Sequence, residues 1–240
     1  MNEKVVLELC NVSKKYGKKK VLNDISFQIE KGEVVGLIGR NGAGKSTIMG
    51  IITRLIPTYD GIVHVNGRSL SNVDSNKKNI GAMIENSCFF GNLSGLDNLK
   101  YCASVSNNKL DMNLISHYSE LLEMQEVLKN KVKTYSVGMK KKLDFLQAIN
   151  GMPDILILDE PTSGMDPQMI FQVNDIMVDV KKRGTAIFVS SHQLSEISKV
   201  CDRIILVDKG NIIETLGTTD EAELEKVYFE KVIKRDKTNT

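Results

Sequence analysis

The segment VVGLIGRNGAGKSTIMGIITRL, residues 34–55, decides the fold. Val34 to Ile38 is an unbroken apolar run of strand length, the pattern of a strand covered on both faces. Gly39-Arg40-Asn41-Gly42-Ala43-Gly44-Lys45-Ser46-Thr47 then fits G-x-x-x-x-G-K-[ST], and helical spacing follows from Ile48 to Leu55. Strand, glycine-rich turn and helix in this order form a phosphate-binding loop. The glycines let the backbone curl so that successive N–H groups point inward, and the following helix offers its positive end to the β- and γ-phosphates. Lys45 neutralises those phosphates and Ser46 is a Mg²⁺ ligand. Arg40 and Asn41 serve as backbone donors or exposed side chains rather than as chemistry. The plain alternative is a strand-to-helix turn with an exposed lysine, and the full spacing with both flanking elements speaks against it.

The chain has 240 residues, enough to bury one large domain with an insertion. Lys and Arg number 32 against 30 Asp and Glu, a net charge of +2, so no global basic field is available to hold nucleic acid or an anionic membrane. Cys10, Cys88, Cys102 and Cys201 lie far apart without a CxxC pair, and are expected to be buried or free thiols in a reducing compartment. The start, MNEKVVLELC, lacks a signal pattern, and no apolar run approaches the ~18 residues that span a bilayer. A cytosolic chain that cannot form a pore alone is therefore expected.

Around the opening segment, short β-branched runs occupy Val5 to Leu9, Ser26 to Ile29 and Ile62 to Val65, with Asn66-Gly67 marking a hairpin turn. Helical spacing takes over at Leu114, Tyr118, Leu121, Leu122 and Leu128 and continues after Gly138 through Leu143, Leu146 and Ile149. The stretch 86–150 is therefore expected to be a helical subdomain inserted in a single domain covering 1–240. Strand and helix alternate again from Asp154: Ile155 to Leu158, an amphipathic helix after Pro167, Ala186 to Ser190, a short helix, then Arg203 to Asp208. This alternation implies a mainly parallel sheet covered on both faces. From about Lys234 the chain is polar and expected to fray.

The run Ile155 to Leu158 ends in Asp159-Glu160-Pro161, which puts two carboxylates at the edge of a parallel sheet where ligands gather. Asp159 is assigned to Mg²⁺, through water, and Glu160 to orienting and polarising an attacking water. A solvated acid pair or a helix-capping aspartate is the alternative.

With these motifs in order, the chain resembles the ABC ATPases over nearly its whole length. Ser163-Gly164-Met165-Asp166 is similar to that family's D-loop, Ser190-Ser191-His192 to its switch histidine, and Tyr16 to the aromatic that stacks on adenine. Asp166 before Pro167 is also a good helix N-cap. Alone, His192 would be a surface cap and Tyr16 a half-buried packing residue; their order and spacing carry them. Tyr135-Ser136-Val137-Gly138-Met139 resembles the signature, usually LSGGQ, with Ser136 and Gly138 aimed in the family at the γ-phosphate of a partner subunit. A capped helix start is the alternative there. Lys140, Lys141 and Lys142 read as a solvated helix face. The resemblance implies an α/β phosphate-loop ABC ATPase fold, with a mainly parallel core sheet, an antiparallel β subdomain and a helical insertion.

Glu85 stands where the family's Q-loop carries glutamine. Together with the variant signature, it resembles exporters that protect bacteria against bacitracin, lantibiotics and related peptides. It is placed near the nucleotide and Mg²⁺; it could also face a permease, or be a solvated loop acid. The resemblance implies a subunit that hydrolyses ATP with Mg²⁺ and pairs with a second ABC ATPase subunit, identical or closely paralogous. It would drive a separate membrane permease from the cytoplasmic face of the membrane. A soluble non-transport ABC ATPase, such as an iron-sulfur assembly scaffold, is the rival. A nucleic-acid-associated ATPase is disfavoured for want of a coiled-coil insertion or a basic face, so no nucleic-acid partner is expected.

Overall fold

The computed structural model describes residues 4–71, 80–84, 88–106 and 108–234. Strands β1 (Val5–Tyr16), β2 (Lys19–Glu30), β4 (Asp60–Val65) and β5 (Arg68–Ser69) form an antiparallel sheet in the order β2-β1-β4-β5. A second sheet runs β10-β9-β3-β8-β7-β6, built from β3 (Val34–Gly39), β6 (Ile80–Met83), β7 (Ile155–Asp159), β8 (Ala186–Ser190), β9 (Arg203–Asp208) and β10 (Asn211–Leu216). It is parallel throughout except for β10, which returns antiparallel on β9.

The unbroken apolar strands are explained by two hydrophobic cores, one on each face of this second sheet. On β7, Leu156 and Leu158 enter one core while Ile155 and Ile157 enter the other; β8 and β9 alternate in the same way. One core lies against α1 (Lys45–Ile52) and the antiparallel sheet. The other gathers buried residues of α2 (Gly95–Val105), α3 (Met112–Leu121), α4 (Val137–Ile149), α5 (Pro167–Lys182), α6 (Leu194–Val200) and α7 (Glu221–Tyr228). Between β6 and β7 the described chain is helical, with short 3₁₀ turns at Val127–Lys129 and Val132–Thr134.

The Asn66-Gly67 turn joins β4 to β5 with both residues at positive φ, 51° and 70°, as a tight primed hairpin requires. The four cysteines are free. No described helix is long and apolar enough to cross a membrane.

Several expectations need correction. The runs Val5 to Leu9 and Ser26 to Ile29 are parts of two 12-residue strands that meet at Gly17-Lys18, because the lysine-rich turn hides their alternation. Helix α1 starts at Lys45 and ends at Ile52, leaving Leu55 exposed. Leu121 is exposed too. Lys141 and Lys142 are not a solvated face: Lys142 is buried with its Nζ 2.7 Å from the Leu122 carbonyl, and Lys141 turns inward. Strand β10 and helix α7 are not marked in the sequence, since the adjacent Ile212 and Ile213 break the alternation in β10 and α7 buries only Leu224.

Candidate active site

Strand β3 delivers the glycine-rich loop at the carboxyl end of the sheet. Gly39 pairs with Val207 of β9, and a Cβ at Gly39 would lie 2.2 Å from the Val207 carbonyl oxygen, so only glycine lets the two strands meet. Gly44 is the N-cap of α1 at φ 111°, left-handed backbone that favours glycine. No side chain caps α1, so this end of the helix and its dipole are left for an anion. Lys45 is buried and folds back on its own loop, with Nζ 2.8 Å from the Gly39 carbonyl and 3.4 Å from that of Arg40. The Ala43 N–H is engaged inside the loop, 3.0 Å from the Arg40 carbonyl. Arg40 and Asn41 are exposed.

A cleft of about 710 Å³ opens over this loop, lined by Asn41, Gly42, Gly44, Lys45, Ser46 and Thr47 and by Asp159 and Glu160. Lys19, Lys20, Val21 and Lys209 complete its wall. Four lysines against two carboxylates favour a polyanionic ligand. Sequence reasoning missed Lys19, Lys20 and Lys209; the basic run KKYGKKK was the available signal for the first two.

Strand β7 ends at Asp159, which pairs in register with Ser190 of β8. Ser190 Oγ donates a short hydrogen bond to Asp159 Oδ1 and accepts the Glu160 N–H at 3.0 Å. Asp159 Oδ2 is buried with no hydrogen-bond partner, an arrangement expected of a carboxylate awaiting a ligand. Glu160 sits at φ 47°, a left-handed conformation that costs an L-residue roughly 1–2 kcal/mol. Its carboxylate meets His192, with Nδ1 and Oε2 3.2 Å apart, both side chains partly open to solvent.

Ser46 and Asp159 line one cleft and offer hard oxygen donors suited to Mg²⁺, which typically takes one or two carboxylates and completes its shell with phosphates and water. Among the described residues no cluster of three or more His, Cys, Asp or Glu could hold a metal alone.

Among the described residues, Tyr16, Asp166, Ser136 and Gly138 do not line the cleft. Tyr16 is exposed at the end of β1, on the hairpin that supplies Lys19 and Lys20, with Lys14 Nζ 4.9 Å from its ring centre. Asp166 caps α5, its Oδ1 accepting the Met169 N–H at 2.9 Å. Ser136 caps α4: its Oγ accepts the Met139 N–H at 3.2 Å, while its own N–H donates to Met139 Sδ at 3.3 Å. Ser136 and Val137 are exposed. A Cβ on Gly138 would come 2.8 Å from Met169 Cε of α5. Glu85 lies outside the described residues.

Lys141 was also missed. From the second turn of α4 its Nζ donates a short hydrogen bond to the Ser163 carbonyl and lies 3.4 Å from that of Glu160. Burial pulls its pKa below the ordinary lysine value, with Glu160 and Asp144 opposing.

The ABC transporter family model matches residues 22–163. The chain is 36% identical over 228 residues to the lantibiotic transport ATP-binding protein SrtF of Streptococcus pyogenes, covering 95% of this chain and 98% of that one. It is 33% identical over 227 residues to the bacitracin transport ATP-binding protein BcrA of Enterococcus faecalis, covering 94% of this chain and 73% of that one. A solved structure described as the ATP binding subunit of an ABC transporter superposes with a TM-score of 0.83 at 27% identity, covering 94% of this chain and 98% of its own.

Proposed function

This chain belongs to the ABC transporter ATP-binding family, whose members are ATPases, and from that premise we propose that it hydrolyses ATP through the cleft between the glycine-rich loop and the end of β7. Lys45 and the uncapped start of α1 bind the phosphates, so Lys45 exchanges its loop carbonyls for phosphate oxygens. Ser46 and Asp159 would hold Mg²⁺, which supplies charge neutralisation at the phosphates. Glu160 accepts the proton of the attacking water, and His192 fixes the orientation of that carboxylate. Tyr16 stacks on the adenine.

The observation that carries this reading is that Glu160 and Lys45 line one cleft together with Asp159, whose Oδ2 is buried without a partner. Glu160→Gln tests it. ATP binding should persist while kcat falls by about 10²–10⁴. Turnover near that of the wild type would remove Glu160 from the role of base.

At the scale of the complex, two such subunits sandwich ATP, with Ser136 and Gly138 of each facing the other's nucleotide and the stretch 86–150 acting as the subdomain that carries them. The pair drives a separate membrane permease from the cytoplasmic face. Export of an antimicrobial peptide is the transport reading best supported, since SrtF and BcrA are named for lantibiotic and bacitracin transport. Glu85, by its place in the sequence, would join the nucleotide to the permease. Purification from membranes should bring down an integral membrane protein, and disruption of the gene should sensitise cells to such a peptide.

A further inference from the structure

We propose that Lys141 is a positioning residue for ATP hydrolysis, holding the backbone of Glu160 through the carbonyls on either side of the turn that follows β7; this rests on the ATPase reading above. Glu160 occupies left-handed backbone at φ 47°, so its peptide must be fixed by partners. On the N-terminal side, its N–H is held by Ser190 Oγ at 3.0 Å and by the Ser190 carbonyl at 3.2 Å. On the C-terminal side, Lys141 Nζ reaches the Glu160 carbonyl at 3.4 Å and donates to that of Ser163. The carboxylate between these anchors meets His192.

Lys141 does not line the cleft, and its ammonium carries three donors, enough to join the carbonyls at the two ends of one turn. The tie also crosses between elements. Lys141 belongs to α4, whose exposed start carries Ser136, whereas both acceptors belong to the loop carrying the base and the α5 cap. Burial of the ammonium on these carbonyls agrees with its depressed pKa. The positive end of Lys141 thus sets where the Glu160 carboxylate points without touching the ligand.

The test is steady-state ATPase kinetics, ATP calorimetry and thermal melting on the full-length chain carrying Lys141→Met or Lys141→Arg. In Lys141→Met, kcat should fall by about 10- to 10²-fold while KM and Kd for ATP stay near wild type, the signature of a misplaced base. Lys141→Arg offers several donors and should recover most of the rate. Should Lys141→Met fail to fold, Lys141→Gln, which lacks the reach, should show the same split. Unchanged kcat in a folded variant overturns the proposal, as does a parallel loss of ATP affinity and melting temperature. A wild-type protein that hydrolyses no ATP overturns the ATPase reading and this inference with it; an active wild type matched by Lys141→Met overturns this inference alone.

Discussion

Ser190 uses one hydroxyl and one carbonyl to serve both acids at the end of β7. Ser190→Ala should destabilise the protein by about 1–3 kcal/mol, because the buried Asp159 carboxylate loses the donor to its Oδ1. The rate should fall with it, as Glu160 loses one of its anchors. Denaturant titration and ATPase assay measure the two effects; an unchanged midpoint would show that water replaces the hydroxyl. The acids themselves are legible from the sequence, because an apolar strand ending in Asp-Glu advertises its own end. Ser190 and Lys141 are not legible in their roles. Ser190 acts across a parallel register 31 positions away and Lys141 across a turn 22 positions away, and neither distance leaves a periodic trace.

Helix α5 illustrates the same limit between elements. Asp166 and Pro167 announce its start, but what holds it to α3 is the Tyr118 hydroxyl, donating to Asp179 Oδ2 at 2.7 Å, with Arg183 Nε on the same oxygen at 3.0 Å. Burial raises the Asp179 pKa, yet the Tyr118 hydrogen bond and the Arg183 charge overcome it and hold the carboxyl below its ordinary value. The folded pKa is lower than the unfolded one. The stability from this link is therefore present above the unfolded value of about 3.9 and is lost as pH falls through the folded value. Asp179→Asn should accordingly melt below the wild type near neutral pH and converge on it in acid; a gap independent of pH would assign the effect to packing alone. Periodicity locates the helices and the interior strands, where one face or both must be apolar. It fails at β10 and α7, which lie at the margin and bury little, and in the β1-β2 hairpin, where lysines interrupt the alternation.

For the whole molecule, a net charge of +2 conceals a strong local asymmetry, with four lysines on one cleft. The exposed cap of α4 is not part of that cleft's wall, and in the proposed complex its use depends on a second subunit. Ser136→Arg should cost about 0.5–2 kcal/mol as a lost cap. It should leave ATP binding by the monomer intact while abolishing both hydrolysis and the ATP-bound dimer expected to accumulate in a Glu160→Gln background. Size-exclusion chromatography with ATP reads the dimer, and an active Ser136→Arg protein would reduce the segment to a capped helix start. The motifs are legible in their linear order; the tie between α4 and Glu160 is not, since it exists only once the helix has packed. The left-handed backbone at Glu160 has a consequence for directed evolution. Glycine is the residue that this conformation favours, so a library screened for thermostability alone drifts toward glycine there and enriches for proteins that no longer turn over. Survival of the glutamate would report selection for work rather than for folding.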